Sequence, residues 1–299
     1  EKPLRRVGGR FADAGWEIAL VGGPVRDALV GRLSFETDLD FTTNAQPEQI
    51  VELLEGWAEA VWDVGIRFGT VGARIDGREV EITTYRSESY DAESRKPEVA
   101  FGNNLADDLA RRDFTMNAMA VTLPSMEFVD LFDGIVDLAA RRIRTPGTAQ
   151  SSFDDDPLRM MRAARFASQL DATVDADVVD AMSAQAERIS IVSAERVREE
   201  FSKIVMSDHP RVGLTLLVDT GIADIVLPEL PLLRLEADEH HHHKDVYKHT
   251  LTVLEQAITL ESVHEPTCEP DLTLRLAALL HDIGKPKTRK FEDGGRVSF

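Results

Sequence analysis

The chain has 299 residues, 43% of them hydrophobic, which is enough for a substantial core and about two domains of ordinary size. Its 34 basic and 53 acidic residues give a formal charge of −19, which argues against a protein that coats nucleic acid by neutralising many phosphates. One cysteine, Cys268, excludes an internal disulfide framework, and no apolar run reaches the roughly 18 residues that a spanning helix needs. The expectation is a soluble, cytoplasmic protein with no membrane partner; nothing in the sequence sets its oligomeric state. The chain opens at Glu1 with no methionine and no basic-plus-apolar leader, so a missing native N-terminus is expected and no signal peptide is evident.

From Trp16 to about Arg144, short β-rich runs alternate with helix-like ones. "EIALVGG" reads as a buried strand ending in glycines, and Pro24 suits the first turn of a helix "PVRDALVG" that stops at Gly31. "TDLDFTT", "GTVGARID", "REVEITTY" and "MEFVDLFDG" read as further strands, and "PEQIVELLEGW" as a helix. Together they predict a head domain on a small mixed sheet. From about Ser152 helical spacing dominates, in "DPLRMMRAARFASQL", "AERVREEFSKIVM" and "HPRVGLTLLVDTGIADIV", with Gly221 and Pro228 as stop signals. The fold class is therefore α+β: a mixed-sheet head over 1–150, a helical region over 151–233, and a second helical region over 234–299.

Chemistry concentrates first between Gly22 and Asp40. Glycines at a strand-to-helix turn let backbone N–H groups approach a ligand, and a helix N-terminus favours an anion such as phosphate, although Gly22 and Gly23 would also serve a purely steric turn. In "TDLDFTT" alternation points Asp38 and Asp40 to one face while Leu39 and Phe41 turn to the core. Two carboxylates on one face repel unless a cation sits between them, and hard oxygen ligands suit Mg²⁺. A phosphate-receptive turn followed by such a strand predicts metal-dependent nucleotidyl transfer. Glu81, on another strand, is either a third carboxylate near the attacking hydroxyl or a solvated partner of Arg86. Arginines cluster at Arg111 and Arg112, at Arg141, Arg142 and Arg144, and at Arg159, Arg162 and Arg165; solvated helix faces are their simplest reading.

"LVGGPVRDALVG" with "DLD", then "EITTYR", "RRDFTMNAMA" and "DDDPLRMMRAARF", in that order, resembles the class II tRNA nucleotidyltransferase and bacterial poly(A) polymerase family. The resemblance covers essentially the whole chain. It implies a polymerase-β-like head with helical neck and body, using Mg²⁺ and nucleoside triphosphates to extend an RNA 3′ end. Carried over by position, Gly22, Gly23 and Arg26 hold the triphosphate, and Asp38 and Asp40 bind metal. Arg112 contacts the nucleotide, while Asp113 and Asn117 support the sugar and the head-neck junction. Asp156 and Arg159 read the incoming base, and Arg162 and Arg165 face the nucleotide. Spacing alone puts Asp156, Arg159 and Arg162 on one helical stripe, where Asp156 and Arg159 could equally form an i, i+3 salt bridge. The family often has Glu-Asp where this chain has Asp155-Asp156.

The long polar interval from Ser87 to Leu109, with Asp91 and Arg95 as loop anchors, resembles the loop that lets such enzymes switch from C to A. The implied activity is CCA addition to tRNA from CTP and ATP, with a poly(A) polymerase or an A-only enzyme as the alternative. In "KHTLTVLEQA" and "LRLAALLHDIGKP", His249, His281 and Asp282 resemble the metal-dependent HD phosphohydrolase pattern, and imidazole and carboxylate ligands fit a divalent transition metal. That pattern needs a further downstream Asp, and only Asp293 follows, so a shortened module with a structural role is expected. An HD-type phosphohydrolase with a nucleotide-sensing head is the remaining alternative. The run His240 to His243 reads as an exposed helix entry.

Overall fold

The computed structural model describes residues 2–35, 37–62, 65–66, 69–87, 100–102, 104–234, 246–264, 269–288, 290–292 and 296–298. Asp91, Arg95, the four-histidine run, Cys268 and Asp293 lie outside the described residues. The chain divides into two compact units, Glu1–Ala140 with Arg144–Gly147, and Arg141–Ile143 with Thr148–Phe299. No helix among the described residues is long and apolar enough to cross a membrane.

The first unit opens with helix α1 (Lys2–Asp13), which buries Val7 and Phe11 in the same core as the sheet. There follow β1 (Ile18–Val21), α2 (Gly23–Leu29), β2 (Leu39–Thr43), α3 (Pro47–Leu54), β3 (Ala60–Trp62), β4 (Thr70–Ile75) and β5 (Arg78–Thr84). After β6 (Arg86–Ser87), β7 (Ala100–Phe101) and α4 (Leu105–Ala110), the chain makes a single 3₁₀ turn at Thr115–Asn117. It then forms β8 (Met119–Leu123), β9 (Phe128–Asp130) and α5 (Gly134–Ala139). Seven strands make one sheet in the order β3-β4-β5-β2-β1-β8-β9. Its β2–β5 pair is parallel and the others are antiparallel, so the sheet is mixed as expected.

All four residues of β1 are buried, as a strand in the middle of a covered sheet requires. β8 was not anticipated. Its "MAVTL" is a short apolar run without alternation, a pattern that does not separate strand from helix. Gly31, with φ +70°, ends the α2 segment in a left-handed conformation.

In the second unit β10 (Arg142–Ile143) pairs in parallel with β11 (Thr173–Val174), on either side of α6 (Ala149–Asp155) and α7 (Leu158–Leu170). Then come α8 (Ala176–Gln185), α9 (Ala194–Val205), α10 (Pro210–Asp219), α11 (Ala223–Val226), α12 (Val246–His264), α13 (Leu272–Leu280) and α14 (Lys285–Thr288). A hairpin of β12 (Lys290–Glu292) and β13 (Arg296–Ser298) follows. α7 is the hub: Met160, Met161, Ala163, Ala164 and Ala167 are wholly buried, and α9 and α10 both pack on it.

α10 meets α7 at Gly213, whose N–H donates to the Ser168 hydroxyl at 2.9 Å. A Cβ there would stand 2.3 Å from Ser168 Oγ and 2.5 Å from the Ala164 carbonyl oxygen. Backbone cannot yield as a side-chain tip can. Gly213→Ala is therefore expected to destabilise the second unit by about 1–3 kcal/mol, read as a lowered urea midpoint.

Candidate active site

β1 runs into Gly22, which sits at φ 72° and ψ −134°, a conformation that disfavours any residue with a Cβ. A Cβ at Gly22 would also stand 3.0 Å from Nη1 of Arg112 and 3.9 Å from Oδ2 of Asp40. Three motifs far apart in the sequence thus meet over one glycine. Arg26, a turn further along α2, donates from Nη1 to Oδ1 of Asn117 at 2.8 Å and from Nε to Oδ1 of Asp27 at 2.9 Å. Asn117 in turn donates from Nδ2 to Oδ1 of Asp113 at 2.9 Å, and that oxygen also accepts the Phe114 N–H. Asp113 and Asn117 are both buried, so they act here as a rigid mount for Arg26.

Burial alternates from Asp38 to Phe41 as expected. Leu39 and Phe41 are buried, Asp40 is half-buried, and Asp38 lies exposed one residue before β2 begins. Asp40 is the register partner of Glu81 across the parallel β2–β5 pair, so the two side chains leave the sheet on the same face. Glu81 is exposed and lies beside Asp40 on that face. Glu79 pairs with Arg74 at 2.7 Å. Arg86 donates from Nη2 to the Thr70 hydroxyl at 3.4 Å, and its backbone N–H points to Asp108.

Asp108 gathers positive charge. Its Oδ2 takes Nη2 of Arg112 at 3.1 Å. Burial, and then the neighbouring Arg111, push the Arg86 guanidinium below its ordinary pKa, with Arg112 adding to the effect and Asp108 opposing it. Arg86, Arg111 and Arg112 thus lie close enough to influence one another, with Asp108 as a partner of Arg112.

In the second unit, Asp156 corrects the helical stripe expected from spacing. It stands before α7 in an extended conformation, φ −144° and ψ 103°, because Pro157 disfavours a helical residue ahead of it. Its Oδ1 accepts the Leu158 N–H at 3.1 Å, and its Oδ2 takes Nη2 of Arg196 at 2.9 Å. Arg159 lies 3.7 Å from Asp155 and donates to the Ser152 hydroxyl at 2.9 Å. Arg162 stands over the Phe166 ring at 5.7 Å. Arg165 is held by the buried Glu200 of α9 at 2.7 Å and covers the same ring at 4.1 Å. Spacing did not reveal Arg196 or Glu200, which reach these residues from about forty positions along the chain.

A separate cluster forms where α12 faces the end of α13. His249 lies on α12, whereas His281 and Asp282 follow α13 in a turn rather than lying on a helix. Nε2 of His281 is 3.1 Å and Nε2 of His249 is 3.9 Å from Oδ2 of Asp282, and the ligand atoms all lie within 4.8 Å of one another. Nδ1 of His281 faces the Ala278 carbonyl at 2.8 Å, a backbone contact of the kind that orients metal-binding imidazoles. Lys285 Nζ also reaches Oδ2 of Asp282, at 2.7 Å. Two imidazoles and a carboxylate fit a divalent transition metal.

Three family models match in succession: the poly A polymerase head domain over 18–144, the "Probable RNA and SrmB-binding site of polymerase A" over 172–233, and the HD domain over 246–297. The chain belongs to the tRNA nucleotidyltransferase and poly(A) polymerase family. Among its relatives, the CCA-adding enzyme of Lactobacillus helveticus is 43% identical over 215 residues, covering 72% of this chain and 52% of the relative. That of Levilactobacillus brevis is 41% identical over 232 residues, 76% of this chain and 57% of the relative. The chain spans about half the length of these curated relatives. The solved CCA-adding enzyme of Bacillus stearothermophilus in complex with CTP superposes with a TM-score of 0.69 at 27% identity, covering 96% of this chain and 78% of that one. α7 falls between the first two matched segments.

Proposed function

We propose that the chain is the catalytic part of a CCA-adding tRNA nucleotidyltransferase, acting in the cytoplasm on the 3′ end of tRNA with CTP and ATP. The carrying observation is the meeting of Asp40, its register partner Glu81 and the Arg112 guanidinium around the Gly22 turn. In this reading 1–150 is the nucleotidyltransferase head, 151–233 the base-reading and RNA-binding region, and 234–299 the HD-like region.

Gly22, Gly23 and Arg26 hold the triphosphate, with Arg26 aimed by Asn117 and Asp113, and Arg112 adds a second guanidinium. The hard oxygens of Asp38 and Asp40 would hold Mg²⁺, which would supply positive charge to offset that of the phosphates and the reacting oxygens. Glu81 stands beside Asp40, near where the RNA 3′-hydroxyl would lie. The hydroxyl gives up its proton to water, its oxygen bonds to the α-phosphorus, and the bond from that phosphorus to the β-phosphate oxygen breaks, releasing pyrophosphate. Asp156 and Arg159 read the base edge, and Arg162 and Arg165 line the nucleotide side of α7. Arg196 and the Leu158 N–H fix the Asp156 carboxylate, so the protein acts as template with a preset hydrogen-bonding pattern. His249, His281 and Asp282 would hold a divalent metal in a structural role.

The test is incubation of the chain with a tRNA ending at its discriminator base and one labelled nucleotide at a time. CTP is expected to be incorporated first, and ATP only after CTP. Incorporation of ATP alone would move the chain to the A-adding or poly(A) class.

A further inference from the structure

Behind the 115–117 turn lies a carboxylate that none of these roles uses. Asp137, on α5 of the head, is wholly buried. Its Oδ2 accepts from the Thr115 hydroxyl at 2.7 Å and from Nε of Arg144 at 2.9 Å. Arg144 also donates from Nη2 to the Phe132 carbonyl at 3.0 Å, and its own carbonyl accepts the Thr115 N–H at 2.8 Å. Thr115 is thus held at both hydroxyl and amide. α5 approaches so closely that a Cβ at Gly134 would fall 2.2 Å from the Thr115 carbonyl oxygen.

A buried carboxylate is costly unless well bonded, whereas an apolar residue could fill the same space without that cost. Two residues beyond Thr115, Asn117 receives the Arg26 guanidinium, and Arg112, three residues before it, reaches over Gly22. The same short turn therefore carries a clamp on one residue and the mount of Arg26 on another.

We propose that Asp137, with Arg144, is a positioning residue for nucleotide binding: its carboxylate pins Thr115, and through Asn117 sets where the Arg26 guanidinium meets the triphosphate. This rests on the nucleotidyltransferase reading above. The coupling runs from Asp137 to Thr115 through one hydroxyl, and from Asn117 to Arg26 through one amide oxygen. Removing the hydroxyl loosens the turn without opening a cavity, since valine keeps the shape of threonine.

The experiment compares the full chain with Thr115→Val, Thr115→Ser and Asp137→Asn, measuring melting temperature, CTP Kd in the presence of MgCl₂, and KM and kcat for CTP. Thr115→Val and Asp137→Asn are expected to raise both Kd and KM for CTP about tenfold, the scale of one charge-assisted hydrogen bond, while kcat holds. Thr115→Ser, which keeps the hydroxyl, restores both. A merely structural role would lower the active fraction and hence kcat, with Kd and KM for CTP unchanged; that result, or a serine variant no better than valine, overturns the proposal. An unaltered chain that binds CTP but incorporates none would reject the polymerising reading and leave the variants' CTP Kd to decide the positioning role. A chain that binds no CTP rejects both.

Discussion

Asp40→Ala is expected to lower the rate of nucleotide addition by about 10³-fold, the scale seen when a preorganised electrostatic group is lost from a transition state, while CTP binding weakens far less. The asymmetry follows from placement. In the proposed site Gly22, Gly23 and Arg26 would supply triphosphate contacts that do not depend on Asp40, whereas the carboxylates on the shared face of β2 and β5 would hold the Mg²⁺ whose charge offsets the negative charge developing on the reacting oxygens. The fold should tolerate the change, because Asp40 is half-buried and Leu39 and Phe41 carry the strand's core contacts. Asp38→Ala should behave alike. Single-turnover rates with matched CTP Kd values check both, and full activity in the two variants would remove the metal assignment.

Arg275→Ala is expected to be the most destabilising single change in the second unit, by about 3–5 kcal/mol. The Arg275 side chain is 4% exposed and spans two helices. Nε and Nη2 meet Oε2 of Glu261 on α12 at 3.0 and 2.8 Å, while Nη1 donates to the Val205 and Ser207 carbonyls, at 3.2 and 2.9 Å, closing the end of α9. Truncation strands a carboxylate and two helix-end carbonyls at once. Burial pushes the Glu261 carboxyl up, but the Asp271 N–H and Arg275 outweigh it and hold its pKa below the ordinary value. A depressed carboxyl stabilises the folded state above the unfolded pKa, and that contribution is lost as pH falls through the folded one. Urea midpoints should therefore drop steeply in Arg275→Ala near neutrality, with a shallower further decline on acidification than in the unaltered chain. Equal midpoints would show that the bracket carries no stability.

Features with a local signature were legible in the sequence. Alternation in "TDLDFTT" separated Asp38 and Asp40 from Leu39 and Phe41, and Gly22, Pro24 and Gly31 marked a turn and a short helix that the structure bears out. Pairings between distant segments were not legible. That Glu81 stands opposite Asp40 depends on the register of two parallel strands, which nothing within either strand specifies. Arg196 on Asp156 and Glu200 on Arg165 arise because α9 packs against α7, a tertiary choice. Asp156 itself was readable in principle: Pro157 is a local signal against a helical residue before it, and it overrides the i, i+3 spacing. Asp137 carried no signal, since an acid in a short helix ordinarily points to solvent.

Whether protein groups dictate the order of addition can be read by sequencing the 3′ ends formed on a tRNA that lacks its terminal trinucleotide, with all four nucleoside triphosphates present. Products ending in CCA are expected, with C and CC as intermediates and no U or G. Tracts of A alone, or ends that follow the nucleotide concentrations supplied, would contradict protein control of the order.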